Sequence, residues 1–89
     1  MKDLNECRAT INEIDLEMKK LFLKRRETVL DVVRYKMAHD LPTYDPSRES
    51  EMKIRLTNDL EGDIKEEYLA FLEEILCLSK KAQDKERAK

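Results

Sequence analysis

A chain of 89 residues has room for one small core, and with one glycine and two prolines it lacks the turn residues of a β-sandwich. Charged side chains make up 43% of it, interspersed in sign and summing to −2, so the basic footprint of a nucleic-acid binder is missing. No apolar run approaches the ~20 residues of a membrane span, and no signal-peptide core stands at the N-terminus.

The first 41 residues contain neither glycine nor proline and read as one amphipathic helix over about 2–39, closed by Asp40-Leu41-Pro42. With Leu4 at position a of a heptad, the a positions are Leu4, Ile11, Met18, Arg25 and Val32, and the d positions Cys7, Ile14, Leu21, Thr28 and Tyr35. Arg25 falls where a helix normally puts leucine. At a 1.5 Å rise this helix is roughly 55 Å long, whereas a compact chain of this size has a radius of gyration near 12 Å. Its own chain cannot wrap it, so a second copy is expected to cover it.

Asp45-Pro46 announces a second helix, over about 46–58, with Asp45 as N-cap and Pro46 at the first helical position. Thr57-Asn58-Asp59 and Gly62 mark its end. A third helix is expected over about 63–86, capped by Asp63 and carrying the stripe Ile64, Tyr68, Phe71, Leu72, Ile75 and Leu76. The tail from Lys85 reads as charged and frayed. Residues 1–89 thus form one all-α domain of three helices. Cys7 and Cys77 lie on apolar faces with no His or Cys at metal spacing, and free buried thiols in a reducing, cytoplasmic setting are expected.

Several polar residues stand on faces that should be apolar. Arg25 and Lys36 are about three turns apart and point the same way, roughly 16 Å along the axis. They either close on a small ligand or snorkel to water. Arg8 lies about 25 Å from Arg25 along the helix and reaches the same ligand only across an antiparallel pair of helices; otherwise it is a plain surface residue. Asp45 is explained by capping, but Arg48 carries an unfavourable charge for a first turn and shares a face with Met52 and Arg55, which turns it inward. Ser79 and Gln83, at i and i+4 on the third stripe, are either fraying or ligand-facing groups. His39, the one histidine, sits at a helix end, and no nucleophile set or phosphate loop can be assembled. Inward cations and neutral donors without a general base suit the holding of a small polyanion whose charge shifts.

Arg8, the segment Ile14-Asp15 to Leu23-Lys24-Arg25-Arg26-Glu27, Lys36, Pro42, Asp45-x-x-Arg48-Glu49 and Ser79-x-x-x-Gln83 together resemble the all-helical chorismate mutases. The likeness spans residues 4 to 83, and its specificity lies in the ordered set. It implies an intertwined homodimer of three-helix protomers with two shared active sites. It also implies the Claisen rearrangement of chorismate to prephenate, on the route to phenylalanine and tyrosine, without cofactor, metal or covalent intermediate. By the same resemblance, Arg25 and the partner's Arg8 bind the substrate carboxylates. Lys36 and Gln83 donate to the ether oxygen, and Glu49 takes the ring hydroxyl with Asp45 close by. Arg48 lines the pocket and Ser79 contacts a carboxylate. Tyr44 departs from the pattern, standing where related chains often carry a basic or other polar residue.

Two alternatives remain. An isochorismate pyruvate-lyase is similar and uses comparable cations, but Glu49 argues against it, since the lyase-like pattern tends to be apolar at that place. A non-catalytic helical dimerisation module would keep the seam and tolerate the loss of Arg25.

Overall fold

The computed structural model describes residues 2–89 as three helices with no strand among them: α1 (Leu4–Ala38), α2 (Pro46–Thr57) and α3 (Gly62–Arg87). Asp3 caps α1, its carboxylate accepting from the Glu6 N–H at 2.8 Å. At the other end α1 stops before Pro42. Asp40 turns left-handed (φ 54°), Leu41 N–H donates to the Lys36 carbonyl at 2.8 Å and Asp40 N–H to the Met37 carbonyl. These are the two bonds of a Schellman closure, with aspartate in the place glycine usually takes.

Asp45 caps α2 through the Arg48 N–H at 3.1 Å, and Pro46 follows it. α2 ends at Thr57, whose hydroxyl turns back to the Lys53 carbonyl at 2.6 Å. Gly62 lies beyond that end, and its positive φ of 60° opens α3. Asp63 is therefore not the cap of α3. That position falls to Glu61, which makes no side-chain capping bond, and Asp63 sits in the first turn, where its charge suits the dipole.

α1 and α2 each pack on α3 and not on each other. Arg25 meets Ser79 and Arg34 meets Glu86, so α1 and α3 run parallel. The core is small. Met52 and Leu56 of α2 pack on Leu72 and Leu76 of α3, and Val33 is the fully buried side chain of α1. The molecule is elongated, 55 × 27 × 15 Å with a radius of gyration of 16.5 Å, well above the ~12 Å of a compact chain of this length.

Both cysteines are free, and both are exposed rather than buried. Their helix faces are apolar, but no element of the same protomer lies over them. The C-terminal tail also departs from the expected fraying. α3 continues to Arg87, Glu86 pairs with Arg34 of α1 and with Lys89, and Arg87 bonds back to the loop after α1.

Candidate active site

Because α1 and α2 both lean on α3 without touching, a gap opens between them. It forms a cavity of about 250 Å³. α1 supplies Arg25, Val29, Val32 and Lys36 to one wall, a spacing that keeps all four on one helical face. The start of α2 supplies Asp45, Arg48, Glu49 and Met52 to the other, and α3 supplies Leu76, Ser79, Lys80 and Gln83 as the base. Seven of the residues singled out in the sequence therefore meet in one place: Arg25, Lys36, Asp45, Arg48, Glu49, Ser79 and Gln83. Arg8 does not. It is exposed on the far half of α1, beyond reach of the cavity in the same protomer.

The apolar floor of Val29, Val32, Met52 and Leu76 carries an unbalanced charge above it. Four cations (Arg25, Lys36, Arg48, Lys80) face two carboxylates (Asp45, Glu49), in a chain whose total charge is −2. Both carboxylates are partly spent, Asp45 on the α2 cap and Glu49 on Lys80 Nζ at 3.1 Å. Among the described residues, Arg25, Lys36 and Arg48 are in no ion pair. Arg48 stays exposed at the rim rather than turned inward, but Arg25 and Lys36 are half-buried. Half-buried cations without a counter-charge are costly, and an anion in the cavity removes that cost.

Each group is held in its own way. Arg25 Nη1 donates to Ser79 Oγ at 2.5 Å, and the Ser79 hydroxyl passes its own hydrogen to the Ile75 carbonyl at 2.9 Å. Ser79 thus aims Arg25 and has no hydrogen left to give. Lys36 Nζ donates to the Thr43 carbonyl at 3.1 Å, which uses one of its three hydrogens. Gln83 is 8% exposed, and its Oε1 is the one buried side-chain polar atom without a partner among the described residues. A buried amide oxygen left unpaired costs about 1–3 kcal/mol. Rotating the amide exchanges its acceptor and donor ends, so Gln83 can offer either to whatever enters.

Three neighbours of these groups were not legible in the sequence. Lys80 clamps Glu49 and lies over the Tyr44 ring, 4.4 Å from its centroid. A cation is thereby returned to the neighbourhood where Tyr44 breaks the expected polar pattern. Thr43 offers the carbonyl that receives Lys36, and Arg87 holds Thr43. Adjacency of Lys80 to Ser79 was the one available signal. Arg55, grouped with Arg48 in the sequence, instead pairs with Glu51 at 2.7 Å on the outer side of α2. His39 closes α1 without facing the cavity, its ring stacked on Tyr35 at 3.9 Å.

Ion pairs outside the cavity shift the protonation of two groups, Glu86 and Lys53. The hydrogen bond from Lys89, with that from Arg34, holds the Glu86 carboxyl below its ordinary value. The hydrogen bond to Glu73 raises Lys53.

A family model described as chorismate mutase type II matches residues 7–84. The chain is also 42% identical over 52 residues to the T-protein of Haemophilus influenzae, an alignment that covers 58% of this chain and 14% of that protein. The chain thus matches about a seventh of that relative's length.

Proposed function

The chain belongs to the type II chorismate mutase family, and from that premise we propose that it converts chorismate to prephenate in the cavity between α1 and α2. The observation that carries this reading is the pairing of unneutralised cations with a buried, unpartnered Gln83 amide over an apolar floor. Such a cavity suits a small dianion with an apolar ring, and it contains donors for an oxygen that gains charge. Arg25, aimed by Ser79, takes one carboxylate. Lys36 and Gln83 donate to the ether oxygen, where negative charge grows as the C–O bond breaks and the new C–C bond forms. Glu49, steadied by Lys80, accepts from the ring hydroxyl, and Arg48 and Asp45 complete the wall.

The rearrangement redistributes electron pairs within one molecule. It gains and loses no proton or electron, so its chemistry calls for no cofactor. Holding the flexible dianion in a compact shape supplies orientation, and fixed donors at the ether oxygen bind the transition state better than the substrate.

The second carboxylate is assigned to Arg8 of the partner subunit in an intertwined homodimer. Support comes from α1 itself. Every residue from Lys2 to Lys24 is exposed, and the large apolar ones among them keep at least 47% of their surface (Leu4, Ile11, Ile14, Leu16, Met18, Leu21, Phe22, Leu23). A monomer rarely leaves a face of that length uncovered. A second copy crossing it antiparallel would carry its own Arg8 to the cavity. No described helix is long and apolar enough to cross a membrane, and a biosynthetic step of this kind fits the cytoplasm.

The test is direct. Purified protein given chorismate should consume it with formation of prephenate, and should leave isochorismate unchanged. Salicylate and pyruvate from isochorismate, with no prephenate from chorismate, would overturn the proposal in favour of the lyase.

A further inference from the structure

The last turn of α3 reaches across to the loop that follows α1. Arg87 Nε donates to Thr43 Oγ1 at 2.5 Å, and its Nη2 donates to the Leu41 carbonyl at 2.5 Å. Lys36 meets the same two residues. Its carbonyl accepts from the Leu41 N–H at 2.8 Å, and its ammonium donates to the Thr43 carbonyl at 3.1 Å. One guanidinium therefore grips both residues that grip Lys36. Among the described residues, it is also the only hydrogen-bond partner that residues 41–44 have outside α1.

We propose that Arg87 is a positioning residue for Lys36, acting through Leu41 and Thr43. The inference rests on the reading that Lys36 donates to the ether oxygen. Arg87 does not line the cavity and lies beyond residues 7–84, the segment matched by the family. Its role comes from how the last turn of α3 packs on the loop after α1. A lysine ammonium on four rotatable bonds samples many positions unless something fixes it. Its anchor here is a loop carbonyl, and a loop carbonyl is only as fixed as the loop. The planar fork of Arg87 holds two acceptors at once, which sets the direction of the segment as well as its distance. A donor that must meet developing charge loses much of its effect when displaced by about an ångström.

The experiment compares wild type, Arg87→Gln, Arg87→Lys and Thr43→Val, the first two also in a Lys36→Ala background. Steady-state kinetics with chorismate are measured below the melting temperature of each variant, which keeps loss of folded protein out of the comparison. Arg87→Gln should lower kcat by about 10- to 100-fold with a smaller change in KM. Arg87→Lys, which keeps the charge but lacks the planar fork that fixes two acceptors in direction, should fall between it and wild type. Thr43→Val removes one acceptor and keeps the Thr43 carbonyl, so its loss should be smaller still. With Lys36→Ala already present, Arg87→Gln should change kcat by less than about twofold, because no ammonium is left to position. An equal loss in both backgrounds, or none in either, would overturn the proposal.

A second measurement does not depend on the reaction. The ¹³Cε NMR signal of Lys36, identified by its absence in Lys36→Ala, should shift and sharpen in Arg87→Gln. An unchanged signal would overturn the positioning role. If wild type forms no prephenate while this signal still responds to Arg87→Gln, the assigned reaction fails and the positioning of Lys36 stands.

Discussion

The two halves of α1 have the same heptad pattern and opposite fates. From Arg25 onward the helix lies against α3: Val33 is fully buried, and Arg25, Val29, Leu30 and Lys36 are half-buried. Before Arg25 every described residue is exposed, including Leu4, Ile11, Ile14, Met18 and Leu21 at the a and d positions; beyond it the covered side chains Val29, Leu30 and Val33 lie off that seam, and Val32 and Tyr35 on it stay exposed. Periodicity marks an apolar seam, but neither which residues the protomer itself covers nor what covers the rest. One half finds its cover in its own chain and builds a cavity there. The other is an arm that carries Arg8 away from that cavity. In the proposed dimer the arm of each copy completes the site of the other, so assembly and catalysis depend on the same face.

The comparison breaks most completely if the arm loses its apolar face. Ile14→Asp with Leu21→Asp places charges where a second copy would pack, and dissociation should leave a poorly folded chain with no measurable turnover. Light scattering and circular dichroism check this; a stable, active monomer would refute the division of labour. On the packed half, Lys36→Ala should lower kcat by about 100- to 1,000-fold, the range for removing one donor to a developing oxyanion, while the dimer persists. An inactive dimer here, set against an inactive non-dimer above, separates the two halves.

The smallest effect concerns the contact that ties the end of the packed half to α3. Glu86 is held below its ordinary value of 4.5 by Lys89 and Arg34. A lowered carboxylate contributes stability above the unfolded pKa and loses it as pH falls through the folded one. Glu86→Gln should therefore lower the urea midpoint slightly at pH 7, and the difference should shrink as pH falls below the ordinary carboxylate value and Glu86 takes up its proton. A difference that did not shrink on acidification would show that charge is not its cause.

Much of this architecture was legible from local rules. The absence of glycine and proline up to Leu41 gave α1, Asp45-Pro46 gave the start of α2, and the spacing of Arg25 with Lys36 and of Ser79 with Gln83 put each pair on one face. What escaped was set by tertiary packing. Lys80, Thr43 and Arg87 gain their roles from partners 31 to 46 residues away in sequence, and a run of charges after Gln83 carries no mark of the loop it will meet. The expected burial of Cys7 and Cys77 failed in the protomer for the same reason as the arm: an apolar face says nothing of its cover. Asp63 lost the cap position because Gly62 joins the helix ahead of it, a matter of one positive φ that composition alone does not fix.

The shared site is tested most directly by mixing two inactive proteins. Arg8→Ala and Lys36→Ala are purified separately, then combined in equal amounts under conditions that let subunits exchange. In a mixed dimer one cavity has Lys36 from the first chain and Arg8 from the second, and is intact; the other lacks both. With half of the dimers mixed and one site in two restored, the mixture should reach about one quarter of the wild-type rate. A mixture no more active than its parents would contradict a site built from both arms.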